Sequence, residues 1–457
     1  MSVAAAAAGP RLRWITAAAS VGFVVIQLDV TIVNVALPSI GQSLRTGVSG
    51  LQWVVDAYTL TLAAGMLSAG AMGDLWGARR AYVAGFVVFG LASLACGFAP
   101  GITFLNLARA AQGIGAAMAL PNSLAILNHA FAHDPKARAR AIGFWTAASA
   151  VAIAAGPIAG GLLVGATGWR SIFFVNVPIC VLGVWLAYRV LPETEKGAEH
   201  RRLDPSGLVL GAVALTGFTG TIIELREHGL RSPVILGGIL LTLVSGAAFL
   251  LGEARSRSPM LPLHFFRIPT FSACVFFGTL VNLTYYGIIF VIALYLQQVL
   301  RYSAIAAGLA FLPLTATFVV ANLVSAWMAA RYGSRRPMIL GALVGAAGFV
   351  LLRTLGPASP FAAMLAPFML LPLGMGMAVP AMTTAVLASV DKSWSATASA
   401  VLNTARQAGG AVGVAVFGAL ASGGVERIVP GMGAAAWISA GLLLVGALSA
   451  LTVQATH

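Results

Sequence analysis

Two carboxylates interrupt long apolar stretches of this 457-residue chain, and their type and position point to proton chemistry. Of the 13 acidic residues, only Asp29 and Asp56 fall well inside hydrophobic runs, and the others lie between runs or at their ends. An ionisable side chain inside an apolar run is costly and is therefore a functional candidate. Burial favours the protonated acid, which can bring the group into the range where it gains and loses protons. We predict that Asp29 and Asp56 carry protons.

Two arginines also fall inside hydrophobic runs. Arg109 lies about two turns from the end of its run, at a depth similar to that of Asp56. We therefore expect Asp29, Asp56 and Arg109 to face one cavity. Because an arginine keeps its proton, Arg109 is predicted to tune a carboxylate or to compete with protons for it. The alternative is a structural role, in which Arg109 pairs permanently with a carboxylate. Arg406 has no acidic partner in the C-terminal half, so water, helix carbonyls and an anionic substrate group all remain open as its partners.

The composition identifies the medium around these groups. Hydrophobic residues make up 59% of the chain and charged residues 9%, and the mean hydropathy is +0.92. A soluble domain carries about a quarter charged residues, so a water-facing enzyme of this length is excluded. The chain is predicted to be an all-α polytopic membrane protein.

A helix needs about 20 apolar residues to cross a bilayer, and fourteen such segments can be counted. The first resembles a signal peptide, but it continues past Asp29 and is interpreted as an uncleaved span. The segments run approximately over 14–40, 51–73, 79–99, 102–128, 139–163, 170–190, 205–223, 232–252, 270–299, 304–330, 335–354, 360–389, 395–421 and 432–452.

The basic residues predict the orientation of these spans. Eighteen of the 27 Lys and Arg fall on the side of the N-terminus and seven on the opposite side, and only Arg109 and Arg406 lie within spans. This bias predicts a multi-pass protein of the cytoplasmic (inner) membrane with both termini in the cytoplasm. The net charge of +14 therefore reflects topology. No basic run alternates with aromatic residues, so no nucleic-acid partner is expected.

A weak internal repeat divides the chain. Residues 76–80 (WGARR) and 332–336 (YGSRR) each lie between two spans, 256 residues apart. The repeat predicts two six-span bundles, 1–200 and 263–457, with two extra central helices in 201–262. The same offset places Tyr285 and Leu312 where the first half has Asp29 and Asp56, so proton coupling is expected only in the N-terminal half.

Other chemistries lack their residues. The three cysteines lie in apolar segments, and the six histidines form no metal-ligand spacing. No nucleophile–base pairing and no Walker-type phosphate loop occurs, so neither an enzyme nor a cofactor or metal site is expected. An ion gradient is left as the energy source.

Seven motifs, in order along the chain, resemble those of the fourteen-span drug:proton antiporter family of the major facilitator superfamily. They are 28–38 (LDVTIVNVALP), 70–80 (GAMGDLWGARR), 109–115 (RAAQGIG), 156–161 (GPIAGG), 169–178 (WRSIFFVNVP), 295–298 (YLQQ) and 403–410 (NTARQAGG). The resemblance implies the major-facilitator fold and proton-coupled efflux of hydrophobic small molecules or drugs by alternating access. Open alternatives are a dedicated exporter of one metabolite and a nutrient uniporter or importer of the same fold.

The resemblance also assigns residues to a gating loop and to a packing motif. In the loop, Gly73 and Gly77 permit a tight turn, and Asp74 with Arg79 or Arg80 can latch one helix end to another. A plain cytoplasmic turn is the alternative. The implied loop residues are Gly70, Gly73, Asp74, Gly77, Arg79 and Arg80, and the implied antiporter motif is Gly156, Pro157, Gly160 and Gly161. Small residues there allow close helix packing, which could equally be structural.

A neutral polar and aromatic wall is predicted to bind substrate. The absence of a carboxylate in the later spans argues against multiply charged cations as substrates. The protein is expected to act as a monomer in the lipid bilayer, with protons and small hydrophobic substrates as its partners. The predicted substrate-binding residues are Asn34, Tyr58, Asn282, Tyr285, Tyr286, Gln297, Asn403 and Arg406.

Overall fold

A computed structural model describes residues 2–132, 134–193, 204–256, 259–391 and 394–453, and every regular element in these ranges is helical. A 3₁₀ turn at Leu263–Arg267 precedes α10, and a π-helical turn at Tyr295–Val299 follows it. The helices are α1 (Ser2–Leu44), α2 (Val48–Trp76), α3 (Ala78–Gly97), α4 (Ile102–Ala130), α5 (Pro135–Thr167), α6 (Ser171–Phe174), α7 (Asn176–Val190), α8 (Pro205–His228), α9 (Pro233–Arg255), α10 (Pro269–Leu294), α11 (Ala304–Ala310), α12 (Leu312–Tyr332), α13 (Arg335–Leu352), α14 (Phe361–Ala388), α15 (Ser395–Ala421) and α16 (Val425–Ala450).

Within the described ranges, twelve helical stretches are long and apolar enough to cross a membrane. Fourteen spans were predicted, and the two that are not among the twelve, 51–73 and 395–421, form α2 and α15. Polar side chains lower the hydropathy of these two helices: Gln52 and Asp56 in α2, and Arg406 and Gln407 in α15. The fold is that of an all-helical membrane protein, and twelve candidate spans support it.

The two bundles repeat the same helix contacts. In the first bundle α1 packs on α5 and α4 packs on both α2 and α3, and in the second α10 packs on α15 and α14 packs on both α12 and α13. The short turns α2–α3 and α12–α13 contain Gly77 (φ 84°) and Gly333 (φ 75°), which are 256 residues apart. A residue with a Cβ adopts this backbone conformation only with strain. The internal repeat in the sequence therefore corresponds to repeated structure.

The halves meet at the end of the molecule where α1 ends and α2 begins, called here the α1–α2 end. Gln52 Nε2 of α2 donates to the carbonyl oxygens of Val414 (3.0 Å) and Ala415 (2.7 Å) in α15. Gln297 Nε2, in the π-helical turn, donates to Val35 O of α1 at 2.9 Å. These bonds join the first bundle to the second.

Helices α8 and α9 form a hairpin between the bundles, and α8 contacts one helix from each, α2 and α15. Asp204 caps α8 by accepting from the Gly207 N–H at 2.8 Å and from the Ser206 hydroxyl. These hydrogen bonds hold the pKa of the Asp204 carboxyl below its ordinary value. Because α8 contacts one helix of each bundle, the hairpin lies on the seam where the two halves meet.

Candidate proton-coupling site

Asp29 and Arg109 form a buried ion pair between α1 and α4. Arg109 Nη1 donates to Asp29 Oδ2 at 2.5 Å, and the residues are 1% and 0% exposed. Asp29 Oδ1 also accepts from Asn176 Nδ2 at 2.9 Å and from Gln112 Nε2 at 3.3 Å. Three donors thus satisfy a carboxylate that is shielded from solvent.

Arg109 is held as firmly as its partner. Its Nε donates to Val54 O of α2 at 2.9 Å, and its Nη1 donates to Gln112 Oε1 at 2.8 Å. The guanidinium carbon lies 4.4 Å from the centre of the Tyr58 ring, a cation–π distance. The pair therefore connects α1, α2, α4 and α7. This geometry fits the structural alternative, in which Arg109 is the permanent counter-ion of Asp29.

Three uncharged residues of this network were missed in the sequence analysis. Gln112 Nε2 donates to Ser93 Oγ at 2.7 Å, and Asn176 begins α7 at 0% exposure. Gln112 and Asn176 lie in the motifs 109–115 and 169–178. A signal was therefore present, because an amide inside an apolar run needs a partner, and Asp29 and Arg109 are charged groups inside other apolar runs.

Asp56 is fully buried, and neither of its carboxylate oxygens has a hydrogen-bond partner among the described residues. It lies two residues after Val54, whose carbonyl faces Arg109, so its side chain leaves α2 on nearly the opposite side. The expectation that Asp56 shares a cavity with Asp29 and Arg109 is therefore wrong. An ionised carboxylate without donors is very costly in such surroundings, so this conformation suits the neutral acid.

In the second half, uncharged polar and aromatic side chains surround one cation, Arg406. Arg406 Nε donates to Asn282 Oδ1 at 3.2 Å and its Nη1 donates to Asn403 Oδ1 at 3.3 Å. No carboxylate bonds to Arg406 in the described part of the chain. Tyr286 lies near both Arg406 and Tyr58. Tyr285 meets Tyr286 edge to face at 5.7 Å between ring centres. Six of the predicted substrate-binding residues thus lie close together in the structure: Tyr58, Asn282, Tyr285, Tyr286, Asn403 and Arg406.

The two other predicted substrate-binding residues are engaged elsewhere. Asn34 Nδ2 donates to Val30 O of its own helix at 2.9 Å, and Asn34 is 8% exposed. The Gln297 amide reaches across to α1, as described above. Gln297 therefore joins the two halves in this conformation instead of presenting its amide to a substrate.

The loop motif makes a tight turn, as its glycines indicate. Gly73 packs so closely on α4 that a Cβ there would collide with the Asn122 side chain. Arg79 Nη1 donates to Leu191 O, beyond the end of α7, at 3.1 Å, and Arg80 is exposed. The backbone at Gly70 and Asp74 belongs to α2, but the Asp74 side chain lies outside the described residues, as does any latch it makes.

The glycine motif of α5 packs against helices from both halves. A Cβ at Gly160 would lie 3.0 Å from Ile32 O of α1, and one at Gly161 would lie 2.6 Å from Ala304 O of α11. Gly156 packs against Thr31 of α1, and the Pro157 carbonyl packs against Gly308 of α11. The motif thus packs α5 tightly against helices of both halves, at contacts where only glycine lets the backbones approach this closely.

Gly161→Leu is expected to open the α1–α2 end, because the larger side chain meets backbone atoms that cannot move aside. Overpacking of this kind costs about 1–3 kcal/mol, which corresponds to a shift of roughly 5- to 150-fold toward the open arrangement. A cysteine replacing the buried Val35, with the three native cysteines changed to serine, would report the opening by its reaction with an impermeant maleimide. Gly143→Leu is the matched control, since nothing lies within 4 Å of its Cβ position. Equal labelling in both variants would contradict the closing role.

Comparisons with known proteins agree with this architecture. The family model described as Major Facilitator Superfamily matches residues 19–414 and 275–456. The Methylenomycin A resistance protein of Bacillus subtilis (strain 168) is 37% identical over 402 residues, which are 88% of this chain and 86% of that protein. The Multidrug resistance protein Stp of Mycobacterium tuberculosis (strain CDC 1551 / Oshkosh) is 35% identical over 93% of this chain and 76% of that protein. A crystal structure of a D-xylose–proton symporter superposes with a TM-score of 0.71 at 15% identity, covering 96% of this chain and 97% of that one.

Proposed function

The chain belongs to the Major Facilitator Superfamily, and from that membership we propose that it exports small hydrophobic molecules, including drugs, in exchange for protons. Relatives that cover most of the chain are resistance proteins for methylenomycin A and for multiple drugs, which supports efflux. One structural observation carries the proton coupling: Asp56 is a fully buried carboxylate with no hydrogen-bond partner among the described residues. A group in this setting changes its proton affinity strongly when its surroundings rearrange.

The proposed cycle is alternating access between the two bundles. The bias of Lys and Arg supports a cytoplasmic location for both termini and for the α2–α3 turn, so the α1–α2 end faces outward. The bonds of Gln52 and Gln297 across the halves then describe a state that is closed to the outside. Opening that end breaks these bonds and changes what Asp56 contacts, because Asp56 lies one turn from Gln52 on α2.

The proposed topology has fourteen spans, with α2 and α15 added to the twelve candidates. These helices contain 29 and 27 residues, which is long enough to cross a bilayer of about 30 Å. Their polar groups face protein: Gln52 bonds α15, and Thr404 Oγ1 donates to Ala63 O of α2 at 3.1 Å. A span with polar residues is tolerated where it is buried between other helices. The proposed units remain 1–200, 201–262 and 263–457.

The energetics allow substantial accumulation of substrate. A membrane potential of 100 mV contributes about 2.3 kcal/mol per proton, and one pH unit adds about 1.4 kcal/mol. One proton per neutral substrate would therefore sustain a gradient of roughly several hundredfold. No cofactor or partner protein is needed, and a monomer in the bilayer is sufficient. The proposed substrate wall comprises Tyr58, Asn282, Tyr285, Tyr286, Asn403 and Arg406.

The test is transport by purified protein in proteoliposomes with an imposed pH gradient. A panel of chloramphenicol, puromycin, tetracycline and ethidium should include compounds that move against their gradients when protons flow the other way. Adding a transported compound to detergent-solubilised protein in weak buffer should also release protons, because substrate and proton compete. Downhill movement without pH dependence would indicate a uniporter, and proton uptake on binding would indicate a symporter. Transport of one compound class alone would indicate a dedicated exporter.

A further inference from the structure

Two unpartnered polar side chains are buried where α8 meets the bundles. Asp56 of α2 and Thr219 of α8 are each 0% exposed, and the Asp56 carboxylate oxygens and the Thr219 hydroxyl have no hydrogen-bond partner in the described part of the chain. Thr219 is one of three buried residues in α8, a helix that otherwise presents most of its surface outward. Buried polar groups without partners are rare and call for an explanation.

The helix contacts place these two residues at the same level. Helices α2 and α8 run antiparallel, since Ser49 Oγ donates to Glu227 Oε1 at 2.7 Å and Trp53 Nε1 donates to Glu224 Oε1 at 3.3 Å. Trp53 also packs on Gly220, where a Cβ would lie 2.9 Å from its ring. Trp53 thus lies midway between 220 and 224, and Asp56, three residues further along α2, lies opposite Thr219.

The direction of the Asp56 side chain agrees with this level. Gln52, one turn before Asp56, faces α15, while Ser49 and Trp53 face α8. At 100° per residue, Asp56 points between these two directions, into the groove that α8 and α15 form against α2. Thr219 lies two turns before Arg226, whose Nη1 donates to Ala419 O of α15 at 2.9 Å, so it borders the same groove.

The groove leads to a titratable pair near the surface at the α1–α2 end. Glu224 Oε2 lies 3.4 Å from His228 Nδ1, and the two side chains are 28% and 41% exposed. Glu224 also contacts Trp53, the residue one turn from Asp56. Glu224 lies five residues after Thr219, which is about 7.5 Å further along α8 and about 140° around it, with the buried Ile223 between them.

We propose that this α2–α8 seam is the proton-access route to Asp56, with Glu224 as its surface acceptor and Thr219 as the intermediate hydroxyl. The proposal rests on the proposed proton coupling and adds to it a route separate from the substrate path. The α8–α9 hairpin thereby gains a function: it covers Asp56 and connects it to the outer surface.

The proton transfer balances without any other reactant. A solvent proton binds Glu224, and the protonated carboxyl passes it through water to the Thr219 oxygen. The hydroxyl releases its original proton to the Asp56 carboxylate, so one O–H bond forms for each that breaks. Thr219 ends unchanged, and Glu224 returns to its ionised form.

Few other charges face the groove. On α8, Arg226 borders the groove and donates to Ala419 O near the end of α15, Glu227 accepts from Ser49, and His228 contacts Glu224. On α15, Arg406 is directed to α10, and on α4, Arg109 is directed to Asp29. Glu224 is thus the carboxylate placed to exchange protons with Asp56 from this end.

The test follows protonation of Asp56 without substrate. Dicyclohexylcarbodiimide reacts with protonated carboxyls in apolar surroundings, and mass spectrometry locates the adduct. The full chain, with its native cysteines changed to serine, is locked closed by a disulfide between Gly165→Cys and Ile305→Cys. A Cβ at Gly165 would lie 3.2 Å from the Ile305 side chain, in the contact between α5 and α11. The pH on each side of the proteoliposome membrane is then set separately.

We expect labelling of Asp56 in the locked protein to rise when the pH at the α1–α2 side alone falls from 9.5 to 6.5, by at most about tenfold per pH unit. Thr219→Val and Glu224→Gln should each slow this response at least about fivefold. The matched controls, Thr221→Val and Glu227→Gln, should leave it unchanged, because Thr221 bonds within α8 and faces Gly238 of α9.

Labelling that follows the pH at the α2–α3 side, or that ignores the pH at the α1–α2 side, would overturn the route. Equal responses in Thr219→Val and Thr221→Val would do so as well. Because this experiment needs no transport, a locked protein that responds as expected, without pH-driven efflux in the unlocked protein, would refute the proposed function and leave the route standing.

Discussion

Asp56→Asn is expected to abolish pH-driven efflux, with a loss of at least about 100-fold, while exchange of substrate at equal pH on both sides continues. Asparagine has the shape of the neutral acid but cannot release a proton. Removing a positioned proton carrier typically costs 10²–10⁴-fold in rate. The folded protein should be as stable as the wild type, since Asp56 has no hydrogen-bond partner among the described residues to lose. Uptake of radiolabelled chloramphenicol, or of another transported panel compound, measures both activities.

Asp56→Glu and Gln52→Glu provide the comparison. Asp56→Glu keeps a titratable group in the groove and should retain part of the driven efflux. Gln52→Glu places a carboxylate one turn away but removes the amide that bonds α15, so it should not replace Asp56. If Asp56→Asn pumped against a gradient like the wild type, the proton-site assignment would be wrong.

The element boundaries were largely predictable, because each span begins and ends where apolar sequence does. The segments 79–99 and 102–128 correspond closely to α3 (Ala78–Gly97) and α4 (Ile102–Ala130). The break between α6 and α7 and the π-helical turn after α10 were not foreseen. These irregularities depend on packing against neighbouring helices, which apolar patterning does not specify.

The identity of the site residues was easier to predict than their geometry. Asp29, Asp56 and Arg109 stand out because charge in an apolar run is costly. Which of them meet depends on helix phase, since one residue turns the side chain by 100°. Asp29 and Arg109 come together, whereas Asp56 faces α8 and α15. Segment lengths and depths could not reveal this difference, because the phase of each helix is set by its neighbours.

The contacts of the α8–α9 hairpin could not be predicted from the sequence for the same reason. Its polar connection carried no recognisable motif, yet Glu224, Arg226 and Glu227 bond α2 and α15. The acids lie at the start of α2 and the arginine at the end of α15, where each sign is favourable beside the helix dipole. This complementarity is visible only once three helices that are far apart in the sequence are adjacent in space.

The Asp29–Arg109 pair provides the second large effect, and it concerns folding. Arg109→Gln or Asp29→Asn alone should destabilise the protein by about 3–5 kcal/mol, because each leaves its partner as an uncompensated buried charge. The double variant removes both charges and should be much more stable than the sum of the single effects predicts. Reversible unfolding of the purified variants in mixed micelles measures this, with Arg353→Gln as a control at an exposed site. Additive losses would show that the two charges do not stabilise each other.

The double variant also separates the two roles open to Asp29. If Asp29 is only the counter-ion of Arg109, Asp29→Asn with Arg109→Gln should fold and retain pH-driven efflux through Asp56. If Asp29 itself carries protons, the double variant should fold but lose driven efflux as Asp56→Asn does. The full set of hydrogen bonds to Asp29 favours the first result, because an arginine and two amide donors already occupy its carboxylate oxygens. A folded double variant without driven efflux, beside wild-type efflux in Arg353→Gln, would instead make Asp29 a proton carrier.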